Sequence, residues 1–484
     1  MTRAALLPFG LTKEIRPLLP TWLACVFALV VVGMRGDPRL YAMGLLACAL
    51  GSVALGALSI GHEYTHRTLP LLLTQPASRQ RLLLIKLAVL APLLLTLAAL
   101  SWGAVLNPLQ DQSDGGPGGR EWSVATVILL PLLCALFVAP LLTMLCRSPV
   151  AGIVFTIVVP GLMALVGELS AIAKYGLETA DPRVADNFGL AVFWWGTVSV
   201  CVVAAVSNWL VFRRLEAIEG RDADLHLPES WVDRSAATTT AIAPARRHPV
   251  WLLMKKELRL QQMAFVVSGI YLLGWATFPL IENIVPRHFG PPIGGIAILY
   301  SGLLALLIGS LASAEERHFG TLESQVLLPM AAWRQWVLKA GMAIALALAL
   351  GIGWPALLAY VHPSADDLRV NVRSVGAVIA LTCGGLYASS LCTSGVKALL
   401  WSIPGMLVVI ASVGFLSRSI DRAAHAFTNT GVGLAGGLLV LVLWFAFRNH
   451  RSAERGASRL WWQAIWMVGY LVTGVSVMSI ALGY

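Results

Sequence analysis

From Leu40 the chain reads Leu40-Tyr-Ala-Met-Gly-Leu-Leu-Ala-Cys-Ala-Leu-Gly-Ser-Val-Ala-Leu-Gly-Ala-Leu-Ser-Ile-Gly61 without a charged side chain. It then breaks into His62-Glu63-Tyr64-Thr65-His66-Arg67-Thr68-Leu69 and, past Pro76, Arg81 and Lys86, is uncharged again from Leu87 to Gln110. Each uncharged run is long enough to cross about 30 Å of hydrocarbon as a helix. A helix satisfies its own backbone N–H and C=O groups, for which lipid offers no partner. A closed barrel would need short alternating strands instead of continuous runs. The stretch therefore predicts two spanning helices joined by a short charged loop.

The same pattern extends over the whole chain. In the first half, apolar runs cover Pro17 to Met34, Leu40 to Gly61, Leu87 to Gln110, Trp122 to Cys146, Ser148 to Gly167 and Asn187 to Phe212. In the second they cover Leu260 to Ile281, Phe289 to Ala314, Ala340 to Pro363, Ser374 to Val396, Ala398 to Ser417 and Ala426 to Phe447, and a thirteenth runs from Leu460 to Tyr484. With 57% hydrophobic and 12% charged residues, the 484-residue chain has too little polar surface for a water-soluble fold. The expected fold class is an all-α, polytopic helical membrane protein. All seven cysteines lie in apolar runs without CxxC spacing, which marks them as small buried hydrophobes and not as a metal or redox centre. The first ten residues carry one charge, Arg3, and show no cleavable signal peptide.

The basic residues set the expected orientation. With the N-terminus in the cytoplasm, cytoplasmic segments hold most of the 35 Lys and Arg, as the positive-inside rule requires. The net charge of +10 then acts in topology and in attraction to anionic lipid head groups. Spread over many loops, it predicts no nucleic-acid partner. The expected location is the cell membrane, multi-pass, with the N-terminus cytoplasmic.

The loop after the second spanning run has a counterpart after the eighth. Glu63, Thr68, Leu69, Pro76, Arg81 and Lys86 match Glu316, Thr321, Leu322, Pro329, Arg334 and Lys339 at constant spacing, with no gap. Upstream, Lys13-Glu14-Ile15-Arg16 matches Lys256-Glu257-Leu258-Arg259. The chain therefore reads as a tandem duplication: a six-helix unit over 1–212, a cytoplasmic linker over 213–249, a second six-helix unit over 250–447, and a loop with one additional C-terminal helix over 448–484. The linker is polar and too short for a nucleotide-binding domain, and no GxxxxGK[ST] phosphate loop occurs in the chain. Each Lys-Glu-[Ile/Leu]-Arg motif opens its half either as an amphipathic helix in the membrane interface or as the end of the first spanning helix.

In each repeated loop a threonine able to cap a helix precedes an apolar stretch closed by proline, which predicts a helix of two turns over Thr68 to Gln75 and over Thr321 to Leu328. Arg79, Arg81, Lys86, Arg334 and Lys339 follow, and are expected at lipid phosphates, anchoring the third helix. A short rigid helix tied to two spanning helices works as a lever. Topology alone requires charge, not glutamate, threonine, leucine and proline in register.

Six spanning helices per unit, the Lys-Glu-Leu-Arg opening and the acidic-x-x-x-[Gly/Arg]-Thr-Leu-x(6)-Pro loop resemble the ABC-2 type family of ABC transporter permeases, over Leu6 to Phe447. The second copy is the closer match; the first departs with Arg67 in place of glycine and Pro70 in place of glutamate. The resemblance implies the permease subunit of an ATP-driven ABC exporter. Its short helices would be coupling helices docking on ATPase subunits, with Glu63, Thr68 and Leu69 in one and Glu316, Thr321, Leu322 and Glu323 in the other. It implies no cofactor in this chain and no catalytic role. ATP and Mg would be held by the partner ATPase, two subunits per chain, and the departures imply unequal ATPase contacts. Nothing in the family pattern corresponds to the thirteenth helix.

Two other readings compete. His62-Glu63-Tyr64-Thr65-His66 spells HExxH, the signature of a zinc metalloprotease with Glu63 as general base; the second copy has Glu315 and Phe319 at the histidine positions. An ion-coupled secondary transporter would place charges near the bilayer midplane in both halves. Only Glu168 has such a position, and it is the candidate for lining a pathway or bending the outer end of its helix over 167–186. Tryptophans at run ends, such as Trp22, Trp251, Trp461 and Trp462, fit interfacial belts.

Overall fold

The computed structural model describes residues 6–35, 38–66, 68–73, 78–106, 124–175, 182–214, 249–284, 293–318, 330–361, 372–392, 394–402, 427–451 and 457–481. Among them every regular element is helical. Among the described residues, eight helices are long and apolar enough to cross a membrane: Thr12–Met34, Gly44–Thr65, Arg79–Val105, Ile128–Cys146, Pro149–Tyr175, Asn187–Arg214, Ala332–Leu358 and Ser374–Leu391. The chain is thus a multi-pass helical membrane protein, as its uncharged runs require. The apolar run from Ala398 to Ser417 lies mostly outside the described residues, which stop at 402. Exposed Val202, Val203 and Val206 on one helix, and Leu84 and Leu95 on another, form faces that suit acyl chains and would be a liability in water.

The two Lys-Glu-x-Arg motifs have different settings. Helix α1, Leu6–Arg35, is continuous, so Lys13 to Arg16 are the first turns of a spanning helix and not a separate interfacial element. In the second half α9, Pro249–Leu260, breaks at Gln261 before α10, Gln262–Ile284. The Gln261 amide donates to the Ile308 carbonyl at 3.0 Å, outside its own helix.

By packing, the described residues divide into two compact units: those of Met1–Leu23, Cys48–Trp102 and Gly115–Arg259, and those of Ala24–Ala47, Gly103–Asp114 and Leu260–Tyr484. The first contains the ends of α1 and α2 (Pro38–Thr65), α3 (Leu69–Leu73), α4 (Arg79–Ser101), α5 (Val124–Leu133), α6 (Ala139–Cys146), α7 (Pro149–Tyr175) and α8 (Pro182–Arg214). Small residues let its helices approach, as is usual where lipid supplies no hydrophobic drive. A side chain at Gly167 of α7 would stand 2.6 Å from the Gly189 carbonyl of α8.

The second unit is built on α11 (Ile293–His318), which packs most extensively against α14 (Val372–Leu391), with Gly309 and Gly385 backbone to backbone. Leu304, Ile308 and Ala312 of α11 share a core with Ala340, Ala343 and Ala347 of α12 (Ala332–Leu348). Between α12 and α13 (Trp354–Val361) the chain makes a π-turn, Ala349–Gly353, and another, Cys134–Val138, joins α5 to α6. A π-turn leaves carbonyls without their usual donor, and lipid cannot replace it. Side chains do so here: the Tyr300 hydroxyl donates to Leu350 O at 3.0 Å, Ser301 to Gly351 O at 2.5 Å, and in the first unit Asn208 to Phe137 O at 2.6 Å.

Helix α16 (Ala457–Ala481), formed by the thirteenth apolar run, is fixed to α15 (Phe427–His450) and α14 by buried amides. Gln463 Nε2 donates to Asn449 Oδ1 at 2.7 Å, Asn449 Nδ2 to Ser390 Oγ at 3.1 Å, and the Tyr387 hydroxyl to Gln463 Oε1 at 2.9 Å. Satisfied polar groups of this kind fix the rotation of a helix that apolar packing alone leaves free. None of the seven cysteines forms a disulfide.

Candidate functional site

Glu63 ends α2 at a fully buried position, 0% exposed, and the structure spends its carboxylate on holding the chain that follows. One oxygen accepts from the Thr68 hydroxyl, and the Thr68 backbone N–H donates to the Glu63 carbonyl at 2.9 Å, closing the loop back on the helix end. The other oxygen lies 3.3 Å from the ammonium of Lys86, two turns into α4. Lys86, 2% exposed, also reaches Glu14 of α1 at 2.7 Å and the Ser59 carbonyl at 3.3 Å. One ammonium thus joins α1, α2 and α4. His62 donates from Nδ1 to Leu58 O at 2.9 Å and presents Nε2 to Glu63 at 3.1 Å.

The second half holds the same pair at the matched positions. Lys339 of α12 pairs with Glu316 near the end of α11, with side chains 1% and 0% exposed. Its ammonium also donates to the Ala312 carbonyl at 3.1 Å, four residues before the glutamate, as Lys86 does to Ser59. The matched Glu257 is buried as well. An ion pair this deep is costly to desolvate and is kept where its geometry matters. Glu315, beside it and past the apolar run, has its carboxyl pushed up to about 7 by loss of solvent.

Several expectations change with this geometry. Lys86 and Lys339 are not at lipid phosphates; each is turned inward onto a glutamate 23 residues earlier, a better partner than the interface. Arg81 and Arg334 are exposed. Arg79 donates to the Arg213 carbonyl at 2.6 Å. Thr68 precedes α3, and its carbonyl accepts from Leu72 N at 3.0 Å, but its hydroxyl serves Glu63 and not the helix N-terminus. Leu69 is 9% exposed, packed with Leu72, Ile60, Leu83, Met144 and Phe212, whereas Leu71 on the opposite face is 68% exposed. Thr321, Leu322 and Glu323 fall in 319–329, outside the described residues. Glu168 lies within α7, whose helix continues past it to Tyr175; its side chain is outside the described residues, and any fold-back in 167–186 begins after Tyr175.

HExxH does not assemble two histidines. His66 sits exposed in the turn beyond α2, and the ligand-type atoms that converge, within 4.8 Å of one another, belong to Glu14, His62 and Glu63. The Lys86 ammonium already bonds both of those carboxylates. A dication there would have to displace it and also break the contact of His62 Nε2 with the Glu63 carboxylate.

Sequence reasoning missed Glu14 as a partner of Lys86 and missed Leu71 as the outward residue of α3. The shared spacing of Glu63 to Lys86 and Glu316 to Lys339 was the available signal for the pairs; the run Leu-Pro-Leu-Leu-Leu held none for Leu71. The chain matches no family model, and no curated protein or solved structure is significantly similar to it.

Proposed function

We propose that this chain is the membrane-spanning subunit of an ATP-driven exporter of the ABC-2 type, made of two six-helix units that form one translocation path. The observation that carries the reading is the buried Glu–Lys pair that ties the second spanning helix to the third in each half, Glu63 to Lys86 and Glu316 to Lys339, at the base of the repeated loop. A lever needs a stiff fulcrum. An ion pair that also grips the helix carbonyl makes the two helix ends move as one body, so a push on the short helix is passed into both.

In this reading Glu63, Thr68 and Leu69 set the posture of the first coupling helix, and Leu71 is its contact with a cytoplasmic ATPase subunit. Glu316, Thr321, Leu322 and Glu323 serve the second. ATP binding in two such subunits would favour one arrangement of the halves by a few kcal/mol, enough to shift the population decisively. Glu168 is proposed to border the outer mouth of the path.

The test is co-purification. The full chain, expressed in turn with each ABC ATPase of its own genome, should retain one of them through two affinity steps and stimulate its ATP hydrolysis in vesicles. A chain that moves its cargo in vesicles without any nucleotide hydrolase would overturn the reading.

A further inference from the structure

The last turn of α15 and the first turns of α16 enclose a cleft for which the transport reading has no use. It measures about 380 Å³ and is walled by Phe445, Arg448, Arg459, Trp462, Gln463 and Trp466. A neighbouring cleft shares Arg448 and Arg459 and adds Arg451, beside Trp444 and Phe447. No acidic side chain lines either among the described residues. Arg448 and Arg451 are exposed, and so are the indoles of Trp444, Trp462 and Trp466. The buried bond between Gln463 and Asn449 fixes the two helices against each other at this level.

Depth decides what such a cleft meets. The apolar run of α15 ends at Phe447 and that of α16 begins at Leu460, so the arginines stand at the height of lipid head groups, with the tryptophans in the interfacial layer. Below them Ile465, Val468 and Val472 continue an exposed apolar face down α16. Topology would be served by arginines pointing anywhere; it does not require three across two adjoining clefts edged with indoles.

We propose that this cleft binds an anionic phospholipid. Arg448 and Arg459 hold the phosphate through their forked N–H donors, Arg451 adds charge at the rim, and an acyl chain runs along Trp466 and the face below it. That apolar extension is what favours a lipid over free phosphate, which has no use for it. The thirteenth helix thereby acquires a purpose: together with α15 it makes a lipid seat. The inference is independent of the transport reading.

The full chain is reconstituted in phosphatidylcholine vesicles containing increasing brominated phosphatidylglycerol, with brominated phosphatidylcholine as the parallel series. The part of the tryptophan quenching that W462F/W466F removes reports the cleft. Phosphatidylglycerol is expected to be preferred over phosphatidylcholine about fivefold or more, from about 1 kcal/mol per arginine near the surface. The preference should fall to about one in R448Q/R459Q and persist in R448K/R459K; R448Q alone, at an exposed position, repeats the test should the double variant aggregate. Equal quenching by both lipids in the native chain overturns the proposal. So does loss of the preference on adding millimolar inorganic phosphate, which would assign the arginines to a free anion.

Discussion

Glu316 and Lys339 sit on consecutive helices, α11 and α12, and pair out of reach of solvent, while the lysine also holds the carbonyl one turn before the glutamate. Removing one partner strands the other charge. K339M is expected to lose about 3–5 kcal/mol of stability, whereas K339M/E316L, which removes both charges, should recover much of that loss. Thermal unfolding of the purified chain in detergent measures both. Equal melting of K339M and the native chain would show that the pair contributes nothing.

The two faces of α3 should separate folding from partner binding. L69A, at the packed face, is expected to cost about 2–3 kcal/mol through the cavity it leaves. L71D, at the exposed face, should leave the melting temperature unchanged and weaken retention of the ATPase about tenfold or more if Leu71 is an anchor of the contact. Co-purification read beside a melting curve distinguishes them.

Gln463 is the joint of the thirteenth helix. Q463A removes the group that bonds Asn449 Oδ1 and the Tyr387 hydroxyl, at about 1–3 kcal/mol for a buried hydrogen bond left unmade. Amide hydrogen exchange should rise across 457–481 and stay unchanged in 332–348.

Glu315 makes stability depend on pH. Its carboxyl titrates near 7 in the folded chain and near 4.5 when unfolded, so the folded state binds more protons between those values. The contribution of Glu315 to stability is therefore greatest below about 4.5, falls as pH rises to about 7, and then levels, a loss of about 3 kcal/mol. E315Q should flatten that part of the profile.

How far the sequence foretold this molecule varied with the kind of interaction. Uncharged length placed the helices well, because burying backbone in lipid leaves one solution: the end of α6 and start of α7 fall where Arg147 interrupts two apolar runs, and Arg147 takes the left-handed conformation a tight turn needs, φ 51°. Constant spacing singled out Glu63, Glu316, Lys86 and Lys339 before any contact was visible. Their pairing was not legible, since a lysine at the start of an apolar run looks the same whether it reaches lipid phosphate or turns inward; the choice depends on which face the helix presents to its neighbour. Leu69 and Leu71 illustrate the same point two residues apart. The π-turns left no mark either, because the groups that satisfy them, Tyr300, Ser301 and Asn208, come from distant segments.

The Glu63 to Lys86 contact also bears on how the chain is made. At the end of α2 a lone carboxylate, and near the start of α4 a lone ammonium, are each poor passengers for a nascent segment leaving the insertion channel. Joined, they travel as a neutral couple. Biogenesis of this region is then best served by releasing α2 and α4 sideways as one hairpin, with Glu14 of the earlier-born α1 closing over the lysine afterwards.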